Sequence, residues 1–416
     1  MNERQKICCI PRRSIHRGFF VAALLAATAT LCSMGEGQAV ATGAADLPAI
    51  VIGVSNVQSG PSAALGKSLL AGSQAYFDKV NQQGGVLGRR ITLLVKDDGY
   101  EPGPAVENTD ELIRRDKVFF LFDYVGTPTL TRVLPLLQYY ASEHIVNVAP
   151  FTGADPQRQP PYDNYVFNIR ASYRDETRAL VRHLWALGYR RIGYFGQADA
   201  YGMNGRIGVS AALEELGLQI AAIAAYRRNT PFGTDMTAQV KILRDAGADA
   251  VILFGVYGPC AAFIRDARAA GWNVPVATVS FVGPELLLAQ LEIASRAAHR
   301  NLSGGLMTSL VVPPLQNSEL PLVKEYLANF PEESRGFISL EGWLNAAVVT
   351  EALRRAGNRA SREDFIHALE SLHGWDPGWR EPLNFSPTSH QATHKVWLAR
   401  AEAGRWTAEE MAGRAP

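Results

Sequence analysis

Cysteine is nearly absent from the part of this chain that would fold. There are four in 416 residues, and Cys8, Cys9 and Cys32 all fall in the first 32. Only Cys260 remains beyond them, so no disulfide framework is expected and an ordinary apolar core must hold the fold. Charge of one sign is also lacking. The 41 basic residues balance 40 acidic ones, and charged residues make up only 19% of the chain. No basic block with interleaved aromatics occurs, which argues against a nucleic-acid partner. Beyond the N-terminal segment no run approaches the roughly 18 consecutive apolar residues of a membrane-spanning helix. The motifs of covalent chemistry are missing too. There is no G-x-S-x-G elbow, no H-E-x-x-H pair and no G-x-x-x-x-G-K loop. Gly84-Gly85 closes a helix rather than opening one, so it reads as a stop and not as a phosphate cradle. The eight histidines are scattered. His390 and His394 have i, i+4 spacing but follow Pro387 in an expected loop, and read as surface residues. No catalytic residue, metal site, nucleotide or redox cofactor is expected.

The first forty residues differ in kind. Arg4, Lys6, Arg12, Arg13 and Arg17 are followed by an apolar run over residues 18–31 and by small residues around Ala39 and Ala41. This charge–apolar–small order is that of a secretory signal, so residues 1–41 are expected to be removed on export to the periplasm. The Arg12-Arg13 pair also fits a twin-arginine signal, and the export route stays open. Leu31 before Cys32, where a small residue would be needed, argues against lipidation.

The rest has ample apolar material, 47% of the chain, for two or three domains at roughly 150 residues each. From residue 50 the pattern alternates between short apolar runs and helical periodicity. Strands are predicted at 50–54, 91–95, 118–122 and 145–149, separated by helices. A proline-rich loop over 153–165 interrupts the series. It then restarts, with strands at 192–195, 220–226, 250–255 and 274–279 and helices between them. The stretch 302–380 reads as mostly helical with a strand near 306–312, and 396–406 as a closing hairpin. Two successive βα series imply two α/β lobes, each a doubly wound parallel sheet. In such sheets ligands sit beyond the carboxyl ends of the strands, where helix N-termini present free N–H groups.

Several segments then resemble one family. They are Ser59-Gly60-Pro61-Ser62-Ala63-Ala64-Leu65-Gly66, then Asn81 to Gly84-Gly85 and Gly88-Arg89, then Lys96-Asp97-Asp98. Further on come Asp199-Ala200-Tyr201-Gly202, Ala248-Asp249-Ala250-Val251 and Leu383-Asn384-Phe385-Ser386-Pro387. These resemble type I periplasmic solute-binding proteins, the leucine/isoleucine/valine-binding class of ABC transporter substrate-binding proteins, over nearly the whole chain after the leader. The resemblance implies two lobes joined by a hinge of three crossings, near 169–170, 302–306 and 386–391. Residues 46–169 plus 306–386 would form lobe 1, and 170–303 plus 390–416 lobe 2. The protein would be a monomeric, non-enzymatic trap for a small-molecule ligand, serving an ABC permease in the inner membrane. A ligand-presenting sensor for a membrane receptor, or for another transport system, is the alternative on the same fold.

Carried over residue by residue, the resemblance implies ligand contacts from Leu65, from Thr127 or Thr129, and from Phe151, Thr152 and Gly153 in lobe 1. In lobe 2 it implies Tyr201, Tyr257, Ser280 and Phe281. Thr127 and Thr129 also read as plain helix-start residues beside Pro128. Phe151 and the tyrosines also read as packing residues. Ser280 stands where amino-acid-binding members carry an acid that pairs with the ligand's ammonium. A buried ammonium without a counter-charge is costly. A carboxylate, an amide or an apolar or aromatic compound is therefore favoured over a plain α-amino acid. Asp123 as a substitute anion keeps branched-chain amino acids open.

Overall fold

Short runs of β-branched and aromatic residues, fenced by Gly, Asn and Asp, form the strands, and amphipathic stretches between them form the covering helices. The computed structural model describes residues 47–409. The leader with its expected cleavage site, and residues 410–416 of the expected lobe 2, lie outside the described residues. No helix among the described residues is long and apolar enough to cross a membrane.

The first lobe opens with β1 (Ile50–Asn56), α1 (Ala63–Gln82), β2 (Ile91–Asp97), α2 (Pro102–Arg114), β3 (Leu121–Phe122), α3 (Thr127–Tyr139), β4 (Asn147–Val148) and β5 (Val166–Phe167). The five strands pair in parallel in the order β2-β1-β3-β4-β5. The chain then crosses into a second series. It comprises α4 (Tyr173–Ala186), β6 (Ile192–Gln197), α5 (Ala200–Glu214), β7 (Ile223–Tyr226), α6 (Thr237–Asp245) and β8 (Ala250–Phe254). These are followed by α7 (Tyr257–Ala269), β9 (Val276–Thr278), α8 (Pro284–Ala298) and β10 (Leu306–Leu310). The capping box of Ser172 and Asp175 starts α4 directly after the crossing. Next, α9 (Pro321–Asn329), α10 (Phe337–Ala356), α11 (Arg362–Glu370) and a small hairpin of β11 (His373–Trp375) and β12 (Leu383–Asn384) return to the first lobe. β13 (Trp397–Glu402) and β14 (Arg405–Glu409) complete the second. Its sheet runs β14-β13-β10-β9-β8-β6-β7, parallel from β10 to β7 and antiparallel at β13 and β14.

One boundary needs correction. Residues 306–310 were expected to open the return into lobe 1, but β10 pairs with β9 in parallel and with β13 in antiparallel register. The second crossing therefore follows β10. Once there, it is held against the other two: Ala171, Val311 and Val396, one from each crossing, form a small buried cluster. The first and third crossings also bond to each other, Asn168 N–H donating to His390 C=O and Ala392 N–H to Asn168 C=O, at 2.8 and 2.9 Å. His390 is thus no surface residue. Its ring stacks on Phe167 with centroids 3.7 Å apart, inside the hinge. His394 is exposed and meets Asp175 at 3.0 Å.

Lobe 1 is braced by α1 against α10. A Cβ on Gly72 would lie 1.9 Å from the Ser339 carbonyl oxygen, and one on Gly342 would lie 2.1 Å from that of Leu69. Neither obstacle is a side chain that can turn aside, so only glycine allows this approach. Gly342→Ala should therefore push the helices apart and cost about 1–3 kcal/mol. Urea unfolding should show this as a lower midpoint with an unchanged slope; an unaltered midpoint would mean that the two backbones are not locked together.

Candidate ligand site

The carboxyl ends of both parallel sheets face one cleft, and the loops that follow β1, β3 and β4 meet those that follow β6, β8 and β9. The lobes are closed on each other there. At the centre Phe281, in the turn after β9, lies 5.1 Å from Phe151, 4.6 Å from Tyr201 and 6.3 Å from Tyr100 between ring centroids. Tyr201 continues the cluster to Tyr173 and Phe254 at 5.5 and 4.7 Å. Leu65, in the first turn of α1, packs on Gly283 across the cleft. All these side chains are buried. The Tyr100 ring lies over Gly126, where a Cβ would come within 2.2 Å of it; with φ at +104°, that position needs glycine twice over.

Polar groups line one side of this aromatic centre. Thr127 opens α3, and its hydroxyl lies 2.7 Å from that of Thr152. Gly153 C=O accepts from Tyr173 N–H at 2.7 Å, which lays the Tyr173 ring against that loop. Arg158 donates to Ala154 C=O at 2.6 Å and, through Nε, to Gln391 at 2.7 Å, tying this loop to the third crossing. Burial, with Arg170 nearby, pushes the Arg158 guanidinium down to about 10.

Of the residues expected to touch ligand, Leu65, Phe151, Thr152, Gly153, Thr127, Tyr201, Ser280 and Phe281 come together here. Thr129 does not offer a free hydroxyl: it donates back to Val125 and Gly126 C=O, at 2.5 and 2.9 Å, inside its own turn. Tyr257 sits at the rim, donating to Pro61 C=O at 2.6 Å across the cleft. Asp123 faces away from the cleft. Its carboxyl bonds to Ser73 on α1 and to Asn345 on α10, the latter at 2.8 Å, and burial pushes it well above the usual carboxylate range. It is a lobe 1 core residue and not the substitute anion.

Arg170, Glu176 and Glu341 were not anticipated. Arg170 lies on the first crossing with its side chain 2% exposed. Its Nη2 donates to Ser280 Oγ, and its Cζ sits 4.5 Å over the Phe151 ring. Glu176, on α4, lies 3.7 Å from Nη2, and Glu341, on α10, 3.6 Å from Nε. Glu176 Oε2 accepts from Ser280 N–H at 2.8 Å and from Ser309 Oγ at 2.7 Å. A charged residue at an expected crossing, where the chain must be buried, was the available signal.

The rim carries a further latch. Arg228, after β7, pairs with Glu101 of the first lobe at 2.6 Å and with Asp199 at 3.1 Å. Asn229 donates to Glu101 at 2.8 Å, and further in, buried Gln197 donates to Tyr100 Oη at 3.3 Å. At the other end Glu285, at the start of α8, accepts the Phe337 N–H that begins α10. Among the described residues no cluster suits a metal ion.

Burial pushes Glu341 up to about 7 from 4.5, against the lowering effect of Arg170. The groups that face it are Arg170, Glu176 and, from the β3 end, Asp123. Between those two values the folded chain holds a proton that the unfolded chain has released, so this group's contribution to stability falls as pH rises through the window. Glu341→Gln should thus gain in melting temperature over the parent as pH goes from about 5 to about 8. A constant difference across that range would show that Glu341 titrates normally.

Residues 49–405 match the family described as periplasmic binding protein. In structure the chain is similar to a possible leucine/isoleucine/valine-binding protein from Rhodopirellula baltica SH 1. The TM-score is 0.80 at 33% identity, over 88% of this chain and 97% of that one. It is also similar to a fatty acid ABC transporter substrate-binding protein from Thermomonospora curvata, with TM-score 0.75 at 26% identity over 88% and 93%. In sequence it is 24% identical over 327 residues to an amino acid binding protein of Pseudomonas aeruginosa, covering 78% of this chain and 82% of the relative. With two parallel sheets closing on one cleft, and a match that spans nearly all the described residues, the chain belongs to the periplasmic binding protein family, in its type I leucine/isoleucine/valine-binding class.

Proposed function

We propose that this chain is the extracytoplasmic solute-binding component of an ABC-type importer. It acts in the periplasm as a monomer, traps one small molecule between its lobes and hands it to an inner-membrane permease. The observation that carries this reading is the aromatic centre at the cleft, built from both lobes and flanked by the Thr127 and Thr152 hydroxyls and by Arg170. Such a surface recognises a ligand with an apolar body and one polar end. Ligand contacts to both lobes favour the closed state, so binding is a population shift whose limit is the difference in affinity between open and closed forms. The permease reads closure. No covalent step is part of this role, and the ligand leaves as it arrived.

Native mass spectrometry of the freshly purified protein, followed by denaturation, should release one small compound unchanged. Turnover of that compound would overturn the reading. The rim latch supplies a second test. Arg228 is 22% exposed and bridges Glu101 and Asp199, so its pairing should hold the closed form by about 1 kcal/mol. Arg228→Ala should then weaken binding of the released compound about fivefold. Small-angle scattering of the ligand-free variant should show a larger radius of gyration. If neither quantity moves, the rim contacts do not govern closure.

A further inference from the structure

Arg170 is buried, yet part of its guanidinium is unused. Nη2 donates to Ser280 Oγ, while Nη1 and Nε meet no hydrogen-bond acceptor. The nearest carboxylates, Glu341 at 3.6 Å and Glu176 at 3.7 Å, lie beyond hydrogen-bond distance. A buried donor without an acceptor is expensive. A guanidinium is a planar fork that fits a carboxylate, and its Nη1 prong is without an acceptor here. The remaining neighbours say which carboxylate. Phe151 lies under the guanidinium, Phe281 lies against Phe151, and the Tyr173 phenol falls within the field of Arg170. Of the buried carboxylates around Arg170 and Glu341, Glu176 is engaged through Oε2 by Ser280 and Ser309, with Oε1 left to face Arg170, and Asp123 is engaged by Ser73 and Asn345. Glu341 faces Arg170 at 3.6 Å, outside hydrogen-bond distance, with the like charges of Glu176 and Asp123 around it. Ser280 therefore already faces a cation belonging to the protein, and a ligand ammonium placed beside it would meet like charge.

We propose that Arg170 is the specificity-determining residue of this cleft, receiving the carboxylate of an aromatic or branched aliphatic monocarboxylic acid that carries no ammonium group. This rests on the reading of the cleft as a solute trap. The ligand carboxylate and Glu341 compete for the same guanidinium. Two carboxylates cannot both stay ionised beside one buried cation and an already paired Glu176, so Glu341 holds a proton when the ligand is bound. Affinity then falls as pH rises and Glu341 gives that proton up.

The test is calorimetric titration of the ligand-stripped protein at about pH 6 and about pH 8. The probes are 4-methylpentanoate and 3-phenylpropanoate, beside leucine and phenylalanine, which differ from them by the amino group alone. The acids should bind, and the amino acids should bind at least about tenfold more weakly. Arg170→Gln should lose about tenfold to a hundredfold in affinity for the acids, and Arg170→Lys, which keeps the charge without the fork, should fall between. Glu341→Gln should bind the acids more tightly than the parent at the higher pH and lose most of the pH dependence, a gain that misfolding cannot imitate. Leucine or phenylalanine binding as tightly as its amino-free counterpart would overturn the proposal and leave the trap standing. So would an Arg170→Gln protein with undiminished affinity, or a neutral compound recovered from the parent protein. If no probe binds, no compound co-purifies and scattering shows no closure under any of them, the trap reading falls as well.

Discussion

A guanidinium buried where two sheets meet is the constraint around which this molecule is arranged. Arg170 cannot reach water, so its charge must be met inside, and the partners come from both sides: Glu341 from α10 of the first lobe, Glu176 and Ser280 from the second. Removing one member of such a set leaves a charge stranded in a medium of low polarisability, which costs far more than the set contributes when complete. That asymmetry explains why the surroundings are so fully specified. Glu176 is oriented by Ser280 N–H and Ser309 Oγ, and α4 is started by the Ser172 capping box just beyond the crossing. Phe151 supplies a ring face to the cation.

Because the charge sits on a crossing, it also links hinge to cleft. The three crossings run side by side, held by the Ala171, Val311 and Val396 cluster and by the bonds between Asn168 and the third segment. Arg158 ties the loop after β4 to Gln391, and Gln391 donates to Arg170 C=O at 2.9 Å. Within a lobe, by contrast, little can move. The glycine-mediated approach of α1 to α10 and the wholly buried β8 make each lobe a tightly packed body. On the proposed trap reading, opening would mean turning about segments whose backbone neighbours the side chains at the cleft.

How far the sequence disclosed this follows from what periodicity can carry. Strands β1, β2, β6 and β8 and the helices between them were legible because each is a local apolar pattern, and the two lobes followed from a restart of that pattern. Strand β10 was assigned to the wrong lobe because its run of apolar residues says that it is buried, not against which sheet; only its pairing with β9 and β13 decides that. The candidate contacts Phe151, Thr152, Tyr201 and Phe281 do converge, since a family resemblance carries loop positions with it. Thr129 and Asp123 bond elsewhere in this structure for a common reason: a polar residue near a strand end can as well satisfy its own turn or an adjacent helix pair as a ligand. His390 looked like a loop residue because nothing local shows that the third crossing buries it against Phe167. Arg170, Glu176 and Glu341 lie far apart in the chain, and only the fold brings them together.

Closure itself is divided between two kinds of contact. Around the rim, Arg228 with Glu101, Tyr257 with Pro61 and Glu285 with the start of α10 join the lobes directly. Most of these groups are partly exposed, so water replaces their partners at little cost when the lobes part. At the centre the situation reverses, because Phe281, Phe151 and Tyr100 expose apolar area and Arg170 loses Ser280 if β9 moves away. The rim sets a shallow preference for the closed form, and the centre makes that preference depend on what lies in the cleft. On the proposed reading, a ligand that completes the donors of Arg170 would stabilise the very residue that both lobes share, so that recognition and closure would be one event.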